Sequence, residues 1–300
     1  MAEITKTAVI GAGVMGAGIA AHMANGGVEV VLLDMVAEGD DNRSAIAERA
    51  VGKMLKAEPA PFTHNKNAEL ITTGNLEDDL GLLADCDWIV EAVIEDADIK
   101  RDLYAKIDGA RKAGSIVSSN TSTLPLAVLT QGMAENLKRD FLISHFFNPP
   151  RYMRLLEIVA GDDTRADAAD AVRRFADVRL GKSVVDCKDT PGFIANRIGT
   201  FWLQCAVSEA MDREISVEEA DAIIGRPMGI PKTGVFGLLD LVGLDLMPHV
   251  LASLEAALPP EDAFHDINRQ PELIRRMIAD GYTGRKGKGG FYRLNNDGGK

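Results

Sequence analysis

The sequence predicts an α/β fold with a mainly parallel sheet, followed by a second domain that is all helical. In the first 150 residues, short apolar β-type runs alternate with helix-type stretches, which is typical of parallel strands joined by crossover helices. A glycine-rich turn joins the first run to a helix. After residue 192 the chain changes to long helical segments separated by Gly and Pro clusters, with no clear strands. The length of 300 residues favours two domains over one.

Seven β-type runs make up the predicted sheet, at residues 7–10, 28–33, 88–93, 115–118, 141–144, 153–159 and 183–186. Short apolar runs between turn residues are typical of strands. The last two runs flank an Ala-rich helix predicted over residues 165–176, so we expect the sheet to extend beyond its first five strands. Helices are predicted over residues 193–211 and 217–224 in the second domain. We therefore divide the chain into residues 1–188 and 189–300.

The charge balance argues against several classes of partner. Lys and Arg total 33 against 45 Asp and Glu, which gives a formal net charge of -12. Such a chain repels polyanions at long range, so we expect neither nucleic acid nor an anionic membrane as a partner. An anionic ligand must therefore be held by local groups.

The cysteines and the hydropathy pattern limit the cellular context. Cys86, Cys187 and Cys205 show no CxxC spacing and no neighbouring histidine, so we expect neither a disulfide framework nor a metal site. The first β-type run begins too early to leave room for a signal peptide, and no apolar run approaches a membrane-spanning length. These features predict a cytoplasmic protein.

The glycine-rich turn has the spacing of a phosphate-binding loop. Gly11, Gly13 and Gly16 form a GxGxxG pattern between a β-type run and a helix that begins near Met15. The first glycine permits a tight turn, the second lets backbone amides approach a pyrophosphate, and the third allows the helix to pack closely on the strand. We assign these glycines, together with Val14 and Met15, to cofactor binding.

An acidic residue follows the glycine pattern at the distance that a dinucleotide site requires. The second β-type run ends at Asp34, 18 residues after Gly16. A carboxylate there can accept hydrogen bonds from both ribose hydroxyls and repel a 2′-phosphate, which favours NAD over NADP. The order of strand, glycine turn, helix, strand and acid predicts a Rossmann-type domain, although a glycine turn with a solvated Asp remains the alternative.

One histidine stands at the end of a predicted strand. His145 closes the run at residues 141–144, and a Pro-rich turn leads into the next run, which carries Glu157. This reversal can bring the carboxylate beside the imidazole. Imidazole suits the removal of a hydroxyl proton, and a carboxylate on its other nitrogen would fix the tautomer. From the residues alone, a structural role for this loop histidine remains open.

Four further stretches stand out: Ser-Asn-Thr-Ser at 119–122, His-Phe-Phe-Asn-Pro at 145–149, Thr-Pro-Gly-Phe-Ile-Ala-Asn-Arg at 190–197 and Gly-Lys-Gly-Gly-Phe-Tyr at 287–292. They resemble the signatures of the L-3-hydroxyacyl-CoA dehydrogenase family, and the similarity spans nearly the whole chain. The resemblance implies NAD-dependent oxidation of L-3-hydroxyacyl-CoA to 3-ketoacyl-CoA. It also implies that His145 is the general base and Glu157 its partner.

The resemblance assigns further residues to the site. It implies that Ser122, Asn148 and Asn196 surround the reacting hydroxyl and the thioester carbonyl, with Ser122 and Asn196 counted among the catalytic groups. It places Glu95 and Lys100 along the nicotinamide ribose. The remaining expected cofactor contacts are Ala92, Val93, Asn120 and Ser122.

Structural roles remain open for the polar residues. Ser122 could cap a helix beginning near Leu124, Asn148 could satisfy its own turn, and a solvated position is the default for Asn196. Because coenzyme A carries phosphates, Lys53 and Lys56 on the helix before a proline loop are candidate substrate contacts. A solvated helix face is the alternative for these two lysines.

The resemblance also suggests partners and rival functions. We expect a homodimer through the helical domain. Segments 58–64 and 225–232 resemble the dehydrogenase portion of bacterial chains fused to an enoyl-CoA hydratase, so the end at residues 295–300 could be a cut through a longer protein. The rival functions are a dehydrogenase of a non-thioester hydroxy acid and a non-catalytic NAD-binding protein.

Overall fold

The computed structural model describes residues 3–269 and 271–293. The chain forms two compact units, Met1–Phe193 and Ile194–Lys300. The predicted domain boundary at Lys188 lies shortly before this division. The expected cut in the sequence, at residues 295–300, lies outside the described residues.

An eight-stranded sheet organises the first unit, with the strand order β3-β2-β1-β4-β5-β6-β7-β8. The strands are β1 Lys6–Ile10, β2 Glu29–Asp34, β3 Ile71–Asn75, β4 Trp88–Glu91, β5 Ile116–Ser119, β6 Phe141–Phe146, β7 Leu155–Val159 and β8 Ser183–Cys187. All neighbouring pairs are parallel except β6 and β7, which are antiparallel. The predicted α/β class with a mainly parallel sheet is confirmed.

The helices of the first unit cover both faces of the sheet. They are α1 Val14–Asn25, α2 Ala45–Met54, α3 Ala97–Ala110, α4 Leu126–Leu129, α5 Glu135–Arg139 and α6 Ala166–Val178. One apolar core lies beneath α1, α2 and α6, and a second lies beneath α3, α4 and α5. Because helices shield both faces, β4 and β5 are buried at every position, which explains their uninterrupted runs in the sequence.

One strand was absent from the prediction. β3 lies at the edge of the sheet, and its sequence Ile-Thr-Thr-Gly-Asn offers one strongly apolar residue, followed by two threonines and a glycine. An edge strand needs less apolar surface than a central one, so the hydropathy pattern that identifies the other strands is missing here. The backbone pairing of β3 with β2 establishes it instead.

The second unit is helical. Its helices are α7 Ala195–Asp212, α8 Val217–Ile223, α9 Phe236–Val242, α10 Met247–Ala257, α11 Phe264–Ile267 and α12 Glu272–Ala279. In the part of this unit that the structure describes, β pairing is limited to an isolated bridge between Gly284 and Gly289. The prediction of an all-helical second domain is therefore confirmed.

Buried carboxylates organise the second unit. Asp221 accepts from the backbone amides of Phe236 and Gly237 at 2.8 and 3.0 Å, where α9 begins. Asp240 accepts from the amides of Phe291 and Tyr292 at 2.9 and 2.8 Å. The signature at 287–292 therefore docks a terminal segment on α9, and these contacts give part of it a packing role.

Hydropathy singles out one pair of helices. No single helix within residues 3–269 and 271–293 combines the length and apolar character needed to cross a membrane. Taken together, α9 and α10 have the necessary length and apolar composition, but the two helices meet at a bend of 96°.

The buried His22 on α1 predicts acid-sensitive stability. Burial, and then the charge of Lys182, lowers the pKa of His22 from 6.5 to about 4. Between pH 6.5 and pH 4, His22 is therefore protonated in the unfolded chain but neutral in the folded chain. The free energy of unfolding falls as the pH drops through this range. The free energy of unfolding should fall by up to about 3 kcal/mol for this group.

Urea denaturation between pH 7 and pH 4 measures this loss. We expect His22→Leu to flatten the pH dependence, and His249→Leu, at an exposed histidine, to leave it unchanged. An equal slope in wild type and His22→Leu would contradict the assignment.

Candidate active site

The glycine loop joins β1 to α1 at the carboxyl end of the sheet. Gly11 has a φ of +100°, and a Cβ atom there would lie 2.6 Å from the carbonyl oxygen of Ala92. A Cβ at Gly16 would lie 1.8 Å from the carbonyl oxygen of Gly11. A Cβ at Gly13 would meet nothing within 4 Å. The outer two glycines are therefore required by the fold, whereas Gly13 leaves open space in front of the helix.

The first turn of α1 faces this open space. Gly13 has extended backbone geometry, and α1 begins at Val14, whose side chain is 77% exposed. Met15 is half-buried against the core beneath α1. An exposed helix N-terminus presents amide donors and a partial positive charge, which together suit a phosphate group.

Asp34 lies beside the same loop, at the end of β2. Its Oδ2 accepts from the amide of Ala12 at 2.5 Å, and its Oδ1 accepts from the amide of Met35 at 2.6 Å. The carboxylate thereby ties β2 to the glycine loop. Each oxygen has the capacity to accept a further hydrogen bond, such as one from a ribose hydroxyl.

His145 and Glu157 face each other across the antiparallel pair of β6 and β7. They are directly opposed in the register, and His145 Nδ1 lies 2.8 Å from Glu157 Oε2. Glu157 is completely buried and His145 is 6% exposed. With Nδ1 donating to the carboxylate, Nε2 is the ring nitrogen that can accept a proton. The predicted reversal therefore does bring the two side chains together.

Two aromatic rings contact the imidazole. The Phe147 ring centroid lies 4.4 Å from that of His145, and the Phe193 centroid lies at 5.7 Å. These rings restrict the orientation of the imidazole and limit the access of water.

A buried polar cluster at the ends of β4 and β5 was absent from the sequence prediction. Its centre is Glu91, whose Oε1 lies 2.6 Å from Lys100 Nζ, with both residues completely buried. Glu91 Oε2 accepts from Tyr104 Oη at 2.6 Å and from Ser119 Oγ at 2.7 Å, and Oε1 also accepts from the amide of Val93 at 2.7 Å. Burial and then the Glu91 charge raise the pKa of Tyr104.

Lys100 connects this cluster to Glu95. Its ammonium lies 3.3 Å from Glu95 Oε2, and the Glu95 side chain is 34% exposed. Burial alone would raise the pKa of Glu95, but Lys100 and hydrogen bonds from Thr121, Ser122 and Thr123 lower it. The expectation that Lys100 lies along a ribose is corrected here, because its side chain is sealed beneath the surface and only Glu95 reaches outward.

Glu95 holds the loop that follows β5. Its Oε1 accepts from Thr121 Oγ1 at 2.5 Å and from the amides of Ser122 and Thr123 at 2.9 and 3.1 Å. The Glu95 carboxylate therefore holds two backbone amides of this loop. The Ser122 hydroxyl is half-buried at its edge.

The alternative role for Ser122 as a helix cap is wrong. The helix after this loop, α4, begins at Leu126, and its N-terminal amides at Leu126 and Ala127 donate to Asp189 Oδ1 and Oδ2 at 2.7 and 3.0 Å. Asp189 therefore performs the capping. Asp189 directly precedes the Thr-Pro-Gly signature, but it lies more than 60 residues after the helix that it caps. Spacing along the sequence therefore could not identify it as the cap.

Two of the predicted site asparagines, Asn120 and Asn148, lie near the end of β6. Asn120 Oδ1 accepts from the amide of Phe146 at 2.9 Å and so joins the end of β5 to the end of β6. Asn148 is exposed in the turn between β6 and β7. Asn196 belongs to the second unit, where it is half-buried in the first turn of α7.

A cleft of about 600 Å³ lies between the glycine loop, α2 and the turn after β6. It is lined by Gly13, Val14, Arg49, Lys53, Asn148 and Arg151, among others. Lys53 is in the last turn of α2, but Lys56 lies beyond the helix end and outside this lining. Of the two predicted lysines, the structure brings only Lys53 to the cleft.

Metal-binding side chains do not cluster in the described ranges. No group of three or more His, Cys, Asp or Glu residues there could hold a metal ion.

Two family models match consecutive parts of the chain. The NAD binding domain of 3-hydroxyacyl-CoA dehydrogenase matches residues 6–190, and the C-terminal domain of the same enzyme matches residues 192–294. Together they cover nearly the whole chain in the order that the two compact units follow.

Curated relatives agree with this match. A putative fatty acid oxidation complex trifunctional enzyme from Rickettsia felis is 45% identical over 99% of this chain and 41% of its own length. A probable 3-hydroxyacyl-CoA dehydrogenase from Deinococcus radiodurans is 41% identical over 98% of this chain and 84% of its own. The chain thus spans about two fifths of the length of the first relative.

Solved structures share the architecture over nearly the whole chain. FadB2 of M. tuberculosis superposes with a TM-score of 0.82 at 30% identity, covering 98% of this chain and 100% of its own. (S)-3-hydroxybutyryl-CoA dehydrogenase PaaH1 from Ralstonia eutropha gives a TM-score of 0.76 at 28% identity, with coverage of 98% and 100%.

The buried ion pair of Glu91 and Lys100 yields a stability prediction. Lys100→Met would leave a buried carboxylate without its counter-charge, so we expect the free energy of unfolding to fall by about 3–5 kcal/mol. Combining it with Glu91→Gln removes the uncompensated charge and should recover part of this loss. Urea denaturation measures both variants.

Lys112→Met serves as the control, because this lysine makes a partly exposed ion pair with Asp87 at 2.5 Å. We expect its loss to stay within about 1 kcal/mol. Equal losses in the single Lys100→Met variant and the double variant would refute the coupling between Glu91 and Lys100.

Proposed function

The chain belongs to the 3-hydroxyacyl-CoA dehydrogenase family, and on this premise we propose that it oxidises L-3-hydroxyacyl-CoA to 3-ketoacyl-CoA. The observation that carries the proposal is the His145–Glu157 pair, a buried imidazole and carboxylate 2.8 Å apart. It lies in the unit that matches the family's NAD binding domain. Bound NAD⁺ would accept the hydride from C3 of the substrate.

The glycine loop fits this cofactor. An added Cβ at Gly13 would occupy open space rather than contact protein, so the room in front of α1 is available to a pyrophosphate. Gly11 and Gly16 shape the turn, and Val14 and Met15 begin the helix whose N-terminus would face the phosphates. Asp34, beside the loop, would accept from the adenosine ribose and disfavour a 2′-phosphate.

His145 supplies the base in the proposed reaction. Glu157 accepts from Nδ1 and so leaves the lone pair of Nε2 free to take the hydroxyl proton as hydride leaves C3. The carboxylate also stabilises the imidazolium that results, because the two charges lie within hydrogen-bond distance in a buried site. In the reverse direction the imidazolium returns the proton to the ketone oxygen.

Polar side chains would position the substrate. We assign Ser122 and Asn148 to the hydroxyl and thioester carbonyl, since Ser122 lies at the edge of the loop after β5 and Asn148 lies in the turn after His145. Asn196 is assigned the same role from the family resemblance. Asn120 supports β6 through Phe146, and its amide group completes the proposed cofactor contacts.

The strand ends opposite the glycine loop would contact the nicotinamide half of the cofactor. Ala92 and Val93 follow β4, and Glu95 reaches the surface beyond them. In this proposal Glu95 accepts from a ribose hydroxyl, and Lys100 acts from beneath by holding the Glu95 carboxylate in its charged form.

The whole protein's partners form part of the proposal. The helical unit would bind substrate and mediate a homodimer, and a longer natural chain would add an enoyl-CoA hydratase domain. The relative from Rickettsia felis, named as a trifunctional enzyme and more than twice as long as the matched region, supports this last idea.

Substitution of His145 tests the reaction and its base together. We expect His145→Gln to lower kcat by about 10²–10⁴-fold, the usual contribution of a general base, while the Kd for NADH stays within twofold. NADH formation with short, medium and long L-3-hydroxyacyl-CoA substrates measures turnover, and fluorescence titration measures NADH binding.

His265→Gln, at a half-buried histidine of the second unit, serves as the control. Undiminished turnover in His145→Gln would refute the assigned base. Binding of NADH by the wild type without turnover of any thioester would favour a non-thioester hydroxy acid or a non-catalytic role.

The cleft lysine gives a separate prediction about coenzyme A. If Lys53 contacts a phosphate, Lys53→Met should raise the KM for hydroxyacyl-CoA about tenfold, the loss of about 1.4 kcal/mol expected for one charge-assisted contact. The KM for an N-acetylcysteamine thioester, which lacks the phosphates, should not change. Lys56→Met is the matched control, because Lys56 lies outside the cleft lining.

The steady-state KM for both thioesters measures the effect. An equal rise with the two thioesters in Lys53→Met would exclude a phosphate contact. An increase in KM specific to Lys56→Met would show instead that the anion lies further along the surface.

A further inference from the structure

Lys182 is a buried cation whose partners are carbonyl oxygens. It precedes β8 directly and is 2% exposed. Its ammonium donates to the carbonyl oxygen of Pro150 and, at 2.7 Å, to that of Met153, and it lies 5.5 Å from the ring centroid of Phe146. Within the part of the chain that the structure describes, no carboxylate lies within ion-pair distance of it.

Such a group is expensive to bury. Removing an ammonium from water without a counter-charge costs several kcal/mol, and carbonyl dipoles and an aromatic face offset only part of that cost. Burial lowers the pKa of Lys182 to about 8. An apolar side chain would avoid this cost, so core packing does not explain the presence of a lysine.

The two carbonyls belong to the turn between β6 and β7. This turn begins directly after the strand of His145 and ends before the strand of Glu157, and it carries Asn148. Within the turn, the amides of Tyr152 and Met153 both donate backbone hydrogen bonds to the same acceptor, the carbonyl oxygen of Pro149. Lys182 thus supplies an anchor from outside the turn.

The turn also packs against the helix of the glycine loop. A Cβ added at Gly18 of α1 would lie 3.0 Å from Pro150 Cδ, so helix and turn are in close contact. Pro149, Pro150 and Arg151 line the same cleft as Gly13 and Lys53. A displacement of the turn would therefore change the shape of this cleft.

We propose that Lys182 is a positioning residue that fixes the turn over residues 147–154 through the Pro150 and Met153 carbonyls. It thereby sets the place of Asn148 and of the cleft wall relative to His145. The inference rests on the proposed function, because it concerns the binding of the same thioester substrate. Lys182 itself does not touch the substrate.

The charges around Lys182 are positive or neutral. His22 faces it from α1, and its pKa, lowered to about 4 by burial and then by Lys182, keeps it uncharged at neutral pH. Arg151 on the turn also acts on His22 with its positive charge, and the neighbouring β6 contributes the apolar Phe146 next to Lys182. As the pH rises through about 8, Lys182 loses its proton and its hydrogen bonds lose their charge assistance.

Substitution with methionine tests the anchor. In Lys182→Met we expect the KM for L-3-hydroxyacyl-CoA to rise about tenfold, while the Kd for NADH changes less than twofold. In the wild type this KM should rise between pH 7 and pH 9, and in Lys182→Met it should stay flat over that range. Lys182→Arg, which keeps its charge across the range, should retain a low KM at pH 9.

Amide hydrogen exchange provides a readout that does not depend on activity. In Lys182→Met the amides of residues 147–154 should exchange at least tenfold faster, while those of β1, β4 and β5 stay protected. Lys106→Met, at an exposed lysine of α3, should leave the KM and the exchange pattern unchanged. This control separates the anchor from a general effect of removing a lysine.

The outcomes separate the two proposals. Unaltered exchange of residues 147–154, or faster exchange across the whole sheet, would overturn the positioning role. An unchanged KM in Lys182→Met despite faster exchange of the turn would also overturn it. If the wild type turns over no hydroxyacyl-CoA while the exchange of the turn still depends on Lys182, the proposed function fails and the anchor stands.

Discussion

The antiparallel register of β6 on β7 is the constraint on which the candidate site depends. Six strands, β1 to β6, run in one direction, and β7 and β8 run in the opposite direction. This one reversal places Glu157 opposite His145. A shift of one residue in the register would send the Glu157 side chain to the other face of the sheet and leave the imidazole without its carboxylate. The turn between these strands, together with its anchor at Lys182, therefore controls the geometry of the site.

Carboxylates that accept backbone amides are the second recurring feature. Asp34 binds the amide of Ala12 in the glycine loop, Glu95 binds the loop after β5, and Asp189 binds the start of α4. Asp221 and Asp240 serve the same purpose in the second unit. A carboxylate satisfies amides at helix starts and in loops, where the backbone provides no partner. Part of the acid excess in this chain is therefore structural, and the net charge of -12 overstates how many acids are free to repel a ligand.

The elements predicted correctly are those whose signals are local. The central strands are buried on both faces, so they appear as continuous apolar runs. The glycine turn has a short, fixed spacing, and Gly16 is required by its contact with Gly11, five residues earlier. The edge strand β3 escaped prediction because solvent exposure removes the apolar pattern. Glu91 escaped prediction for a different reason. Its partners Lys100, Tyr104 and Ser119 come from another helix and another strand, and spacing along the chain gives no indication that they converge.

The sequence by itself determined the fold class, the nucleotide loop and the pairing of a histidine with an acid across a short turn. Each of these depends on residues that are close in the chain, or on burial that leaves a pattern in the hydropathy. Tertiary structure decided which charged groups reach the surface. The family resemblance assigns Lys100 to a cofactor contact, and nothing in the sequence distinguishes Lys182. In the structure Lys100 forms an ion pair with a buried carboxylate, and Lys182 donates to two carbonyl oxygens. The free energy of a buried charge depends on the atoms packed around it, and those atoms come from distant segments that only the folded chain brings together.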